Sequence, residues 1–404
     1  MSVLFGHPGG NPNSHQAALA HFQSGRLEAF CVPWMPTPGE LSVLRRLPGL
    51  NGWSARLERR CFPPLLSAPR IQGRWGEWKR MIQRIVGRED ESLWYEANDW
   101  LMRTMKRECH RNSVTAVHSY EDCSLWQFEE AKRLSKACIY DLPIGYYPAW
   151  EASQKELAIV YQDWLPMRGL PSAAFVRPQQ KKRELDLADL VLVPSTFAEK
   201  TIREFSPDKR VALARYGVDI EFWKPCETKM RCKEKLRFIY AGQISIRKGI
   251  PLLLEAWAKA GLKEACLDLV GTWQLAQERK HDLPRNVRHL GPSSREELRA
   301  HYRAADVFLF PSFFEGFGLV MLEAMACGLP VIASRASAGP DILDETCGQL
   351  IQPGNVDQLV EALRLFGSNW GRVAGLSRAA RAKAETRTWE KYRKSVNDAT
   401  APLI

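Results

Sequence analysis

Apolar and polar positions along the chain fall into a rhythm that is clearest in its second half. Leu236-Arg-Phe-Ile-Tyr-Ala241 has the length and makeup of a buried strand. In residues 251–260, Leu253, Leu254 and Trp257 recur on one helical face. Strand patterns follow at 266–270, 307–310, 330–333 and 348–351, and helical ones at 295–304, 319–327 and 356–366. Short Gly/Pro connections separate them. This alternation predicts an α/β domain with a parallel sheet covered on both faces. The first half repeats the theme less regularly, with strands predicted at 2–5, 28–32, 113–118, 137–140, 190–193 and 211–215. Between residues 40 and 112 the period breaks down. Trp53, Trp75, Trp78, Trp94 and Trp100 stand there among many arginines, and the stretch reads as helices and loops inserted between strands. The rhythm is lost again between Asp219 and Lys235, where the domain boundary is expected. The chain thus divides into residues 1–222, a second domain at 223–385 and a segment at 386–404. Two Rossmann-like domains leave a cleft, and such sheets bind ligands beyond the C-terminal ends of their strands.

Length supports the division, because 404 residues exceed one ordinary core. No run of 18 apolar residues occurs, so no membrane-spanning helix is expected. The first residues are an apolar strand followed by His-Pro-Gly-Gly, not a basic segment before a long apolar one, so the expected location is cytoplasmic. Ten cysteines lie scattered with no Cys-x-x-Cys pair, which reads as reduced core residues and no metal site. The net charge of +11 attracts phosphate as nucleic acid, anionic lipid or nucleotide, without choosing among them. The chain has no Gly-x-x-x-x-Gly-Lys-Ser/Thr loop and no Gly-x-Gly-x-x-Gly after its first strand, which disfavours a P-loop kinase and a simple dinucleotide dehydrogenase. An Asp-x-Asp triplet is also absent, which weakens a diphosphate held through a divalent cation.

The segment richest in chemistry is Phe310-Pro-Ser-Phe-Phe-Glu315-Gly316-Phe317-Gly318-Leu319-Val-Met-Leu-Glu323. A strand is expected to end at Phe310 and a helix to begin near Gly318. Glycines let a ligand approach the backbone, and the free N–H groups of a helix start suit phosphate. Glu323 lies roughly 7 Å into that helix at 1.5 Å per residue. A carboxylate only accepts hydrogen bonds, and sugar hydroxyls donate them. Glu323 therefore suits a ribose diol on one side of a diphosphate, and Glu315 suits hydroxyls of a sugar on the other. Against this stands the ordinary use of a glutamate in an early helical turn, as a partner of the helix dipole. A second turn between strand and helix, Gly242-Gln-Ile-Ser-Ile-Arg247-Lys248-Gly249, adds two adjacent cations able to reach the same cleft.

With these residues in view, the chain resembles the retaining GT-B glycosyltransferases of family 4. The resemblance rests on the Glu-x7-Glu spacing of Glu315 and Glu323, and on Ala324-Met-Ala-Cys-Gly-Leu-Pro-Val-Ile-Ala333. Gly339-Pro-Asp341-Ile, Arg247-Lys248-Gly249 and Tyr216-Gly-Val-Asp219 add to it, so that it covers residues 190–390. It implies two facing Rossmann-like domains, with a nucleotide-diphosphate sugar bound mainly to the second as co-substrate and no metal or other cofactor. It implies that Arg247 and Lys248 hold the diphosphate together with Gly242 and the amides of Gly316, Phe317, Gly318 and Leu319. Glu323 is implied on ribose and Glu315 on the transferred hexose, with retention at the anomeric carbon and the leaving phosphate helping to deprotonate the acceptor hydroxyl. The segment Thr388-Trp-Glu-Lys-Tyr392 is similar to the family's last helix, which crosses back to the first domain. Two positions depart from the family pattern: Gln243 stands where many members have an arginine, and Asp341 where many have a glutamate.

The first domain resembles the family more thinly. Gly9, Gly10 and Asp141 fall in stretches similar to its acceptor-side elements, and His7 and His15 flank the glycine pair. His118 ends a strand, and either faces the transferred sugar or is satisfied by backbone groups at the strand end. The Arg/Trp-rich stretch at 45–111 is either ordinary amphipathic helices or a face for a membrane surface and a lipid-linked acceptor. The expected partners are a nucleotide-sugar donor and a hydroxyl acceptor, with peripheral contact at the inner face of the cell membrane and no nucleic acid. A nucleotide-sugar epimerase or hydrolase on the same fold, and a basic membrane- or nucleic-acid-binding protein without catalysis, are the alternatives. The paired acids disfavour the latter, since acids in a cleft repel a polyanion.

Overall fold

The computed structural model of the chain describes residues 1–47, 57–85, 92–166, 177–226 and 235–404. Strands β1 (Ser2–Gly6), β2 (Leu27–Val32), β3 (Arg70–Gln72), β4 (Val114–Tyr120), β5 (Ala137–Asp141), β6 (Leu190–Val193) and β7 (Val211–Leu213) form a first sheet. Its order is β3-β2-β1-β4-β5-β6-β7 and every pairing is parallel. Strands β8 (Leu236–Ala241), β9 (Ala265–Val270), β10 (Val287–Gly291), β11 (Val307–Phe310), β12 (Val331–Ser334) and β13 (Gly348–Ile351) form a second, ordered β10-β9-β8-β11-β12-β13 and again parallel. Numbered from its own first strand, the second sheet runs 3-2-1-4-5-6, and the first begins the same way before adding a seventh. This is the doubly wound order of a Rossmann-like domain. Most strands are apolar on both faces, as Val-Phe-Leu-Phe in β11 is, because helices cover both sides.

The order of each sheet reverses at one place, between β1 and β4 in the first and between β8 and β11 in the second. A crevice opens there at the C-terminal strand ends. The turns after β8 and β11 are the two that carry Arg247, Lys248, Glu315 and Glu323.

Two strands differ from the sequence expectation. β3 lies inside the stretch read as helices and loops, and is only three half-buried residues at the sheet edge. β10, Val-Arg-His-Leu-Gly, is also an edge strand, and its burial alternates so that no apolar run marks it. The rest of the Arg/Trp-rich stretch holds helices Pro38–Arg46, Arg74–Ile85 and Ser92–Glu108. Trp34 and Trp78 meet there at 5.6 Å, beside Leu41, Leu44 and Leu57. Trp53 and the side chain of Trp94 lie outside the described residues, as do residues 227–234 of the expected boundary.

Three segments cross between the sheets. Helix Trp389–Thr400 packs on helix Pro12–Gln23, with Arg393 Nη1 donating to Gln16 Oε1 at 2.6 Å. Helix Tyr147–Val160 leaves the first sheet and docks on the second domain. Leu157 sits in that domain's core, Tyr161 meets Phe313 at 5.8 Å, and the Trp164 carbonyl accepts from Ala276 N at 3.1 Å. The third is the larger apolar core itself, which runs from β1 through Tyr216 and Phe317 into helix Leu319–Ala326. Among the described residues, no helix is long and apolar enough to cross a membrane.

Candidate active site

β11 ends at Phe310, and the chain then turns through Pro311–Gly318 before helix Leu319–Ala326 begins. Gly318 starts that helix at φ 88°, in the left-handed region where a side chain is strained, and no side chain caps the first turn. The helix also has no acidic residue in its first turn. Its N-terminal N–H groups thus lack a side-chain acceptor, and the end carries the positive pole of the helix dipole.

The neighbouring turn after β8 is locked to this one. Gly249, at φ 74°, approaches Pro311 so closely that a Cβ there would lie 2.1 Å from the Pro311 carbonyl oxygen. The Arg247 carbonyl accepts from Phe313 N at 2.9 Å, and Arg247 Nη1 donates to the Phe314 carbonyl at 2.8 Å. Glu315 is paired with Lys248, and Arg247 Nη1 stands 3.4 Å from the same carboxylate. Burial alone would raise the Glu315 carboxyl, but Lys248 and Arg247 hold it below its ordinary value. Burial lowers Lys248 despite the nearby Glu315. The group remains a carboxylate flanked by two cations in the wall of the cleft.

Glu323 lies one turn into the helix without such a partner. Burial pushes its carboxyl up to about 7, and only Arg295 opposes the shift. A partly protonated acid at neutral pH suits the accepting and donating of hydrogen bonds with neutral hydroxyls. Gly242, at φ 147°, closes against the next loop, for a Cβ on Gly271 would lie 1.7 Å from the Gly242 carbonyl oxygen. The Gln243 carbonyl accepts from the Tyr240 hydroxyl at 2.8 Å, so this position adds a backbone contact and no cation.

The first domain presents different chemistry. His7 Nδ1 accepts from Gly9 N at 3.0 Å and from Gly10 N at 2.8 Å, which folds the glycine turn onto the imidazole. Burial drives His7 down to about 3, with His15 and Arg60 adding to it, and drives His15 down to about 4. Both rings are neutral at pH 7. His15 is buried, its Nε2 has no hydrogen-bond partner, and its ring stacks on Phe62 at 5.2 Å.

His118 is fully buried in β4, with Nδ1 2.9 Å from His21 Nε2 and its ring stacked on Tyr120. Its Nδ1 is paired with a second imidazole and with no backbone group, while its buried Nε2 has no hydrogen-bond partner. Residue Tyr120, two positions on along the same strand face, ends β4 instead, and its ring meets His7 at 4.6 Å. Strand alternation from His118 was the signal that could have found it. Asp141 ends β5, buried, with Oδ2 3.7 Å from His118 Nε2. Burial raises it to about 7, and the nearby Tyr120 hydroxyl opposes the shift.

The two walls meet through Gly316, where a Cβ would lie 1.8 Å from the Pro143 carbonyl oxygen of the first domain. Phe314 packs on Phe197 at 5.1 Å and Phe317 on Tyr216 at 5.1 Å. Ser195 donates its hydroxyl to the Gly316 carbonyl. No sequence pattern marked Ser195 or Phe197, because their partners lie more than a hundred positions away.

Residues 228–385 match the family described as glycosyl transferases group 1. The chain is 33% identical over 221 residues to a sulfoquinovosyl transferase of Arabidopsis thaliana, covering 50% of this chain and 42% of that protein. It is 31% identical over 259 residues to a D-inositol 3-phosphate glycosyltransferase of Mycobacterium marinum, covering 56% and 54%. The chain thus spans about half the length of these curated relatives. Among solved structures, sucrose-phosphate synthase from Thermosynechococcus elongatus superposes with a TM-score of 0.67 at 18% identity, covering 100% of this chain and 99% of that one. Anabaena HepE in complex with UDP-glucose superposes with a TM-score of 0.64 at 16% identity, covering 100% of both. At these identities the likeness shows the fold.

Proposed function

We propose, from the match of residues 228–385 to the glycosyl transferases group 1 family and from the GT-B fold, that the protein transfers a hexose from a nucleotide-diphosphate sugar to a hydroxyl acceptor. The observation that carries the reading is the uncapped start of helix Leu319–Ala326 beside the Arg247–Lys248–Glu315 group.

In this reading the diphosphate lies against the amides of Gly316 to Leu319, with Lys248 and Arg247 as counter-charges. Glu323 binds the ribose diol and Glu315 a hydroxyl of the hexose. As the glycosidic bond breaks, negative charge grows on the leaving diphosphate, and preformed donors aimed at it lower the barrier. The leaving phosphate takes the acceptor proton on the face where the new bond forms, so the anomeric configuration is kept. No metal and no protein nucleophile is required. The neutral imidazoles and phenols at the strand ends of the first domain suit an uncharged hydroxyl-bearing acceptor.

Contact with a lipid-linked acceptor at a membrane fits one more observation. Trp75, Lys79 and Ile82 recur at helical spacing on the exposed face of Arg74–Ile85, and Trp75 is 79% exposed. On the neighbouring helix, exposed Val43 and Leu47 flank Arg45 and Arg46. Apolar residues among cations suit an anionic membrane surface. Sedimentation with anionic vesicles should fall on Trp75→Ala if that face binds, and remain unchanged if it does not.

The activity is tested by incubating the protein with UDP-, GDP- and ADP-sugars and acceptor glycosides while following free nucleoside diphosphate and the product's anomeric protons. Transfer with retention is expected. Sugar turnover without any acceptor would favour the epimerase or hydrolase, and no turnover of any nucleotide sugar would overturn the proposal.

A further inference from the structure

Asp341 was notable in the sequence only as a departure from a common glutamate. In the fold it joins the two domains. It lies on the short helix Gly339–Ile342, after β12 in the second domain. Its Oδ2 accepts from Thr196 N and Thr196 Oγ1, both at 2.9 Å, and its Oδ1 accepts from Arg215 Nε at 2.8 Å. Both donors belong to the first domain. The Asp341 side chain is 1% exposed, while that of Arg215 is 33% exposed. The Asp341 backbone carbonyl accepts from Arg387 Nη2 at 2.9 Å, just before the crossing helix begins.

The place where Asp341 docks explains its strength. Thr196 is the first residue of helix Thr196–Phe205, so the carboxylate meets a free helical N–H at the positive end of a dipole. The preceding residue, Ser195, accepts from Ala198 N at 3.1 Å and donates to the Gly316 carbonyl. One helix start therefore grips the second domain twice, at Asp341 and at the loop beside Glu315. The two grips are linked within the second domain, because Ala338 N donates to the Phe317 carbonyl at 3.2 Å. Opening the cleft at this point would break three hydrogen bonds to one carboxylate and leave it facing a separated Arg215. Each such charge-assisted bond outweighs a neutral one.

We propose that Asp341 is a positioning residue that clasps the first domain through Thr196 and Arg215 and so holds that domain against the loop at 314–317 in the closed, reacting arrangement. This rests on the transferase reading. Asp341 touches no reacting atom in that reading. It sets how often the two walls face each other, while the second domain alone carries the diphosphate site.

The test uses the full chain with Asp341→Ala, Arg215→Ala and Thr196→Val, the last removing only the hydroxyl donor. Three quantities are measured: radius of gyration by small-angle X-ray scattering, turnover, and affinity for whichever of UDP, GDP or ADP the wild type binds tightest. Asp341→Ala is expected to enlarge the radius of gyration and to lower turnover by about tenfold to a hundredfold, about the effect of losing one charged hydrogen bond. Nucleoside diphosphate affinity should fall far less than turnover, since the second domain carries the diphosphate site with the cleft open or closed. Arg215→Ala should follow it with a smaller effect, Thr196→Val smaller still, and Asp341→Glu should restore part of the turnover. Wild-type scattering and turnover in both Asp341→Ala and Arg215→Ala would overturn the proposal. So would a nucleotide affinity that falls as far as turnover does, which would make Asp341 part of the donor site's own framework. If the wild type binds none of the nucleotides, the transferase reading fails, and the scattering of the variants still decides whether the clasp holds the domains together.

Discussion

The two walls of the cleft are built at equivalent places in two sheets of nearly the same order, yet they hold opposite kinds of groups. The second domain's wall is ionic, with Glu315 kept as a carboxylate between Lys248 and Arg247. The first domain's wall is neutral, with His7 pushed to about 3, His15 to about 4 and Asp141 up to about 7. Burial operates on both sides. In the second domain Lys248 and Arg247 are the counter-charges of Glu315, and they let its charge persist in a buried place. A wall of paired charges suits a diphosphate, and a wall of neutral donors and acceptors suits hydroxyls. In the proposed reading, the division of labour between donor and acceptor follows from the two cations that flank Glu315.

Removing a cation from the ionic wall is the harshest way to break this contrast. Lys248→Ala should lower kcat/KM for the donor by about a hundredfold or more, because a charged contact to the developing diphosphate is lost and Glu315 is left with one partner. Glu315→Ala should chiefly lower turnover. Steady-state kinetics with varied donor separates the two effects, and wild-type constants in both variants would remove the assigned roles.

Glu323 gives a gentler break, visible in pH. Its carboxyl titrates near 7 in the folded protein. Roughly a tenth is ionised at pH 6 and roughly nine tenths at pH 8. If the carboxylate is the form that accepts from ribose, kcat/KM for the donor should rise by up to about ninefold across that range. Glu323→Gln should flatten this step and raise the donor KM. A step that survives in Glu323→Gln would belong to another group.

The smallest effect tests the neutral wall. Asp141 is raised from 3.8 to about 7 by burial, so the folded protein keeps a proton that the unfolded chain releases. The resulting cost is absent below about pH 4, grows as pH rises, and is complete above about pH 7. Asp141→Asn removes it. The Tm of the variant should therefore gain on the wild type as pH rises from 4 to 7, and parallel Tm curves would contradict a buried, protonated Asp141.

The same contrast governs how much could be read from the sequence. β8 and β11 were legible because both are continuous apolar runs, each ending where a glycine-bearing turn enters a helix. Their charged residues stand beside those turns in the chain, so the ionic wall was legible with them. β3 was not, because Arg-Ile-Gln at a sheet edge carries no apolar period. His118 was ambiguous because a strand-end histidine can point along the sheet or out of it, and its ring partner His21 lies 97 positions away. Asp341 was legible as part of a motif but its partners were not, since Thr196 and Arg215 lie 145 and 126 positions from it. Local patterns mark groups that act with their chain neighbours, and they cannot mark groups whose partners arrive through folding.

The most direct measurement is a thermal-shift panel of UDP, GDP, ADP and their sugars against the wild type and Lys248→Ala. One base should stabilise the wild type by about 2.7 kcal/mol at about a hundred times its dissociation constant. That shift should shrink in Lys248→Ala at the same ligand concentration. A wild type that no nucleotide stabilises, or a Lys248→Ala variant stabilised as much as the wild type, would contradict a diphosphate site in the ionic wall.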